Sequence, residues 1–215
     1  ASTQRMPQEL RNLISKDNIE YIKNEENKGL AASRNAAIEA AAGKYFSFCD
    51  DDDMWPKGFA RRLVTGMENA PESVGVVLGL TDKKREYCGP FFDSFPDLKR
   101  VVKMGVTPPV GSQLYKTELI KRVGGYDTRV RSGVDHDLWI SLLEENPRVA
   151  VSWGPPAIVG TDYGAERMTT AERNRREGIE EALQIWKPKI EKTMGSDFYR
   201  HFQKSYRRYV DIKFF

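Results

Sequence analysis

A chain of 215 residues, 40% hydrophobic and 11% aromatic, can bury one substantial core, most simply as a single domain with an appendage. Its 34 basic and 31 acidic residues leave a net charge of only +3, too balanced to argue for a nucleic-acid partner. No apolar run of roughly 18 residues suggests a spanning helix and the amino end shows no signal-peptide pattern. The two cysteines, Cys49 and Cys88, lack metal-site spacing. A reduced, cytoplasmic setting is therefore expected.

In chain order, Ile19 to Lys23 reads as a strand, Leu30 to Ala42 as an alanine-rich helix closed by Gly43, and Tyr45 to Cys49 as a second strand. A helix over Pro56 to Asn69, with Pro56 in its first turn, precedes a strand at Val74 to Leu80. Beyond Thr81 the pattern loosens into a proline-bearing, loop-rich stretch of the kind that carries binding loops. A short helix at Glu118 to Val123 ends at Gly124-Gly125, a helix spans Val134 to Glu145, a strand Val149 to Trp153, and a charged helix Thr170 to Trp186 stops before Pro188. Strands alternating with helices imply α/β layering, a mainly parallel sheet flanked by helices, and ligands at the carboxyl ends of the strands. In the tail, Phe198, Phe202, Tyr206 and Tyr209 share one face of a helix that Ser196 can cap, among the cations Arg200, Lys204, Arg207, Arg208 and Lys213. Such a helix either lies on an anionic membrane surface or packs its aromatic stripe on the domain.

The densest chemistry is Asp50-Asp51-Asp52-Asp53, directly after the apolar run Tyr45 to Cys49. Alternate residues of a strand point the same way, so Asp50 and Asp52 can aim two carboxylates at one point while Asp51 faces away. Hard divalent ions such as Mg²⁺ and Mn²⁺ are usually held by one or two carboxylates, with water and substrate phosphates completing the shell. The pair therefore suggests a metal shared with a phosphorylated ligand. The plainer alternative is a solvated acidic turn, to which Asp53 belongs as a partner of the following helix dipole.

Asn27-Lys28-Gly29, Ser33-Arg34-Asn35, Ala41-Ala42-Gly43-Lys44-Tyr45 and the aspartate cluster, in that order, resemble the nucleotide-binding half of glycosyltransferase family 2. Gly111-Ser112, then Val123-Gly124-Gly125-Tyr126-Asp127, then Asp135-His136-Asp137-Leu138-Trp139 are similar to the family's acceptor-side segment. The resemblance covers about residues 1 to 160. It implies a GT-A-like domain over 1–165, followed by a C-terminal helical extension over 166–215. It also implies an inverting, metal-dependent transfer of a sugar from a nucleotide-diphosphate donor to a hydroxyl of a glycan or lipid-linked acceptor, with Mn²⁺ or Mg²⁺ as cofactor. A non-catalytic nucleotide- or glycan-binding module is the alternative. Surface polysaccharide assembly at the inner face of the cell membrane would suit the basic aromatic tail.

Carried over residue by residue, the resemblance places the metal on Asp52 and Asp50, with Asp52 the direct ligand and Asp50 nearer the ribose. Asp51, Lys28 and Arg34 belong to the donor side. The family's general base falls on Asp135, whose other reading is a capping residue in Ser132-Gly133-Val134-Asp135. Arg34 could equally be a solvated helical arginine. His136 reads as a surface or supporting group, Asp137 as a complement to the helix amino end, and Trp139 as core. Asp162 or Tyr163 could add a metal or phosphate contact. Two departures stand out: Val134 sits where the family often has Glu, and Ala1-Ser2-Thr3 resembles the end of the family's Asp-Asp-x-Ser-Thr segment. The expectation is that the first strand, first helix and base-binding aspartate are missing.

Overall fold

The computed structural model describes residues 19–82, 95–103, 108–160 and 172–212. Its centre is a strand that must be buried on both faces, because Val74, Val76, Val77 and Leu78 form an unbroken apolar run with at most 1% exposure. This strand, β2 (Val74–Thr81), is flanked by β4 (Arg148–Ala157) and β3 (Gln113–Lys116), and β3 in turn by the short β1 (Tyr45–Phe46), giving the order β1-β3-β2-β4.

The layered α/β class is as expected, but the strand directions are mixed. β2 runs parallel to β4, with Val77 opposite Ala150. It runs antiparallel to β3, with Val77 opposite Leu114, and β3 is antiparallel to β1, with Phe46 opposite Tyr115. Among the described residues the mainly parallel expectation thus gives way to one parallel and two antiparallel pairings. The antiparallel strand β3 enters the sheet directly from a 3₁₀ turn at Val110–Ser112.

Helices cover both faces. On one, α2 (Phe59–Glu68) sets Phe59, Leu63 and Met67 against Val77, Leu114 and Ala150. On the other lie Ile38 of α1 (Gly29–Ala40), Leu98 and Val101 of α3 (Leu98–Lys103), Leu119 and Ile120 of α4 (Thr117–Arg122), and Leu138 and Trp139 of α5 (Val134–Leu142). They pack around Val76, Leu78 and Val149. The helix expected from Pro56 begins at Phe59 because Gly58 takes φ 81°, a left-handed conformation that a continuing helix does not accept. The strand expected over Ile19 to Lys23 is irregular, and Ile19, Tyr21 and Ile22 are exposed. A strand exists only by pairing, and no described strand pairs with this segment.

The C-terminal helices join the same core. Helix α6 (Glu172–Met194) runs straight through Pro188, where the sequence predicts a stop. Burying Ile179, Ala182, Leu183, Trp186 and Ile190 along one face outweighs the single backbone bond that proline removes. Gly195, at φ 90°, ends it, and α7 (Ser196–Ile212) folds back. The aromatic stripe of α7 points inward: Phe202 and Tyr206 stack at 5.6 Å, Tyr206 meets Trp186 edge-on at 5.5 Å, and Phe198 stacks on Phe202 at 6.1 Å. Tyr199, off that stripe, is also buried and donates its hydroxyl to the Leu183 carbonyl at 2.9 Å. Packing on the domain, not a free aromatic face, is therefore the reading the fold takes for Phe198, Phe202 and Tyr206; the side chain of Tyr209 lies outside the described residues.

Candidate active site

Where β1 leaves the sheet, the four aspartates form a turn instead of a continued strand: the Asp53 N–H donates to the Asp50 carbonyl at 3.0 Å. The pleat argument for Asp50 and Asp52 therefore does not apply, and the turn decides where each carboxylate goes. Asp53 turns inward and accepts from the Gly160 N–H at 3.1 Å, beside a bridge in which Met54 and Ile158 exchange two backbone bonds of 2.9 Å. Its neighbour Trp55 donates Nε1–H to the Gly111 carbonyl at 2.7 Å. Gly111 packs against the Asp53 carboxylate and Gly160 against Asp52, both too close to admit a side chain. The turn is thus clamped between the segments at 111 and 160. Asp53 is part of that clamp rather than only a helix-dipole partner.

Arg34 organises what remains. It projects from α1 with its side chain 6% exposed, and its guanidinium lies over the rings of Phe48 and Tyr126 at 5.2 and 5.6 Å. Nη1 donates to Asp135 Oδ1 at 2.6 Å, and Nη2 to both oxygens of Asp50 at 3.2 and 3.3 Å. Residues 16 and 101 positions away in sequence are thereby joined through one side chain. Burial alone would lower the Arg34 pKa, but Asp135, Tyr126 and Asp50 together more than offset this and hold it above its ordinary value. For Asp50, burial raises the pKa and outweighs the opposing pull of Arg34, with the charges of Asp135 and Asp52 adding to the rise.

Asp135 stands in the first turn of α5, behind Gly133 at φ 76°. The helix has no side-chain cap, so the capping role is not taken, and the carboxylate goes to Arg34 instead. Asp135 is about half exposed, and its Oδ2 has no bond to the described residues. The solvated-helix reading of Arg34 is likewise replaced by a buried cation between two carboxylates.

The adjoining loop is fixed by a residue that sequence reasoning left without a role. Asn35 donates to the Tyr126 carbonyl and accepts from the Tyr126 N–H, both at 2.8 Å, a reciprocal clasp allowed by Gly125 at φ 68°. A neighbouring side chain that both gives and takes from one backbone residue has no periodic signature in a sequence. Asp137 lies in the first turn of α5 as expected, but it is fully buried and bonded by Trp186 Nε1 at 2.7 Å and the Asp127 N–H at 2.6 Å. Trp139 is core as expected, its Nε1 directed to Gln113 Oε1 at 2.6 Å.

Asp51 and Lys28 are exposed, and Lys28 makes no ion pair with the aspartates among the described residues. Asp162, Tyr163 and Cys88 lie outside the described residues. Among the described residues no three His, Cys, Asp or Glu side chains gather into a complete metal cage. Asp50 and Asp52 stand in one turn, and Mg²⁺ or Mn²⁺ ordinarily takes one or two carboxylates, with diphosphate and water completing the shell.

The family model for glycosyl transferase family 2 matches residues 1–102. An uncharacterized glycosyltransferase of Haemophilus influenzae is 26% identical over 136 residues, covering 59% of this chain and 45% of the relative. The S. aureus TarS 1-349 fragment in complex with UDP-GlcNAc is similar with a TM-score of 0.70 at 18% identity, covering 92% of this chain and 58% of that one. The mannosyltransferase PcManGT from Pyrobaculum calidifontis, in complex with GDP-Man and Mn²⁺, gives 0.54 at 20% identity, covering 88% and 51%. At these identities the structural likeness is one of fold, a GT-A-like arrangement. The chain spans about half the length of the curated relative.

Proposed function

We propose that this chain, whose residues 1–102 match the glycosyl transferase family 2 model, carries the donor and acceptor centre of an inverting transferase that moves a sugar from a nucleotide-diphosphate donor to a hydroxyl of a glycan or lipid-linked acceptor. The observation that carries the reading is the Arg34 bridge, which sets Asp135 beside the acidic turn with contacts of 2.6 and 3.2 Å. In this reading Asp135 takes the proton from the acceptor hydroxyl. The oxygen attacks the anomeric carbon from the face opposite the diphosphate, and the electron pair of the breaking C–O bond leaves with the phosphate. Asp52, with Asp50 beside it, would hold Mn²⁺ or Mg²⁺, which supplies charge stabilisation to the departing diphosphate. Arg34 keeps Asp50 and Asp135 in register and adds fixed positive charge between donor and acceptor sides. Lys28 and Asp51 are exposed enough to meet a donor from the rim.

The deciding measurement is turnover of a panel of nucleotide-diphosphate sugars, with Mn²⁺ and after EDTA, by the chain and by Asp52→Ala. Turnover that needs the ion and falls in the variant is expected. Binding of the donor without turnover would favour the non-catalytic module, and equal turnover by the variant would remove Asp52 from the site.

A peripheral contact with an anionic membrane would use the outward cations of α7, because its aromatic side is occupied by Trp186. Lys204 and Arg208 are exposed, whereas Arg207 is paired with Glu180 at 2.6 Å. No helix among the described residues is long and apolar enough to cross a membrane. Sedimentation with anionic liposomes should be partial at low salt and fall as screening rises; partitioning that is equal for Lys204→Ala/Arg208→Ala rejects the contact.

A further inference from the structure

The segment 131–137 turns Asp135 toward Arg34, while most of its other residues are held from behind by α6 and α7. Arg131 donates from Nε and Nη2 to Glu181 at 3.0 and 2.6 Å. Ser132 lies so near Gly178 that a Cβ there would stand 2.7 Å from its hydroxyl. A Cβ on Gly133 would meet the Tyr206 hydroxyl at 2.5 Å and the Trp186 ring at 2.9 Å. His136 Nδ1 is 3.1 Å from Tyr206 Oη, and the two rings are edge-on at 4.8 Å. Asp137 receives Trp186 Nε1–H on one oxygen and the Asp127 N–H on the other.

Helix α5 has only nine residues and starts from a glycine with no side-chain cap, so little within it fixes its first turn. Nor is this arrangement explained by packing alone. The indole both fills the space against Gly133 and brings an N–H to a carboxylate with no exposed surface, and a smaller phenyl ring supplies no such donor. Through its second oxygen the same carboxylate reaches the 124–127 loop, whose Tyr126 ring lies against Arg34. We propose that Asp137, Trp186 and Tyr206 are positioning residues through which the C-terminal helices hold the 131–137 segment, aiming Asp135 at Arg34 and at the acceptor hydroxyl. The inference deepens, and rests on, the reading of Asp135 as the general base.

The test compares the full chain with Trp186→Phe, Asp137→Asn and a control, Lys192→Ala, which breaks only a surface pair with Glu144. Hydrogen–deuterium exchange at 131–137 should quicken about tenfold in the first two variants, with β2 protected as before. In the same variants kcat should fall about tenfold or more while the donor KM stays within about twofold. The control should change neither. Exchange that quickens equally in β2 and 131–137 means general destabilisation and overturns the proposal, as does an unchanged kcat. If either variant fails to fold, Tyr206→Phe, which removes one hydroxyl, decides by the same two readouts. Absence of turnover in the unaltered chain defeats the transferase reading by itself. The exchange data then still decide whether these residues hold the segment.

Discussion

Asp135→Asn is expected to lower kcat for sugar transfer by about 10²- to 10⁴-fold, the usual contribution of a positioned general base. Asparagine has the same shape, and its carbonyl oxygen can still accept from Arg34 Nη1, now at 2.6 Å from Oδ1. What it cannot do is take a proton. Binding of a nucleoside diphosphate with Mn²⁺ should therefore stay within about twofold, because the acidic turn at Asp50 to Asp53 keeps its own clamps at Gly111 and Gly160. Steady-state kinetics with saturating donor, together with calorimetric titration of the diphosphate, separate the two effects. A variant that transfers sugar at the normal rate would move the base elsewhere in the chain.

Arg34→Ala is expected to combine a loss of activity of about 100-fold with a measurable loss of stability. Removing the guanidinium leaves two carboxylates, Asp50 and Asp135, facing one another across the space it occupied. Both are 40–49% exposed and regain water, so the stability cost is about 2 kcal/mol rather than that of a fully buried broken pair. The activity loss is larger, because the carboxylates proposed for the donor and acceptor sides lose their common anchor, and misplacement of about 1 Å can cost about 100-fold. A pH signature accompanies it. Burial already raises the Asp50 pKa, and Arg34 opposes that rise. Without Arg34 the pKa climbs further, so the ionised form is lost at a higher pH and the acid limb of the pH–rate profile moves upward. Arg34→Lys should recover part of the charge effect but not the geometry, since an ammonium cannot reach both carboxylates from a fixed fork. Thermal melts and pH–rate profiles of the three proteins check this, and an acid limb that stays in place would separate Arg34 from the titration of Asp50.

Much of the architecture was legible because it rests on local signals. The unbroken apolar run at Val74 to Leu80 became the central strand, and Gly124-Gly125 ended a short helix with φ of 78° and 68°. Arg34, Asp50 and Asp135 could be singled out from their motifs, yet not their mutual contact, which joins positions far apart in the chain. Pro188 shows the opposite failure: a sound local rule was overruled by the buried face around Trp186.

What the sequence determined by itself was the inventory: which segments alternate, which family their motifs resemble, and which carboxylates stand available for chemistry. Only the tertiary structure decided how those carboxylates are used. The turn at Asp50 sends Asp53 into a clamp, a buried guanidinium ties Asp50 to Asp135, and the aromatic face of α7 is spent on Trp186 and His136. The physical reason is that periodicity and propensity act over a few residues, whereas burial of a charge is tolerable only where partners from distant segments converge on it.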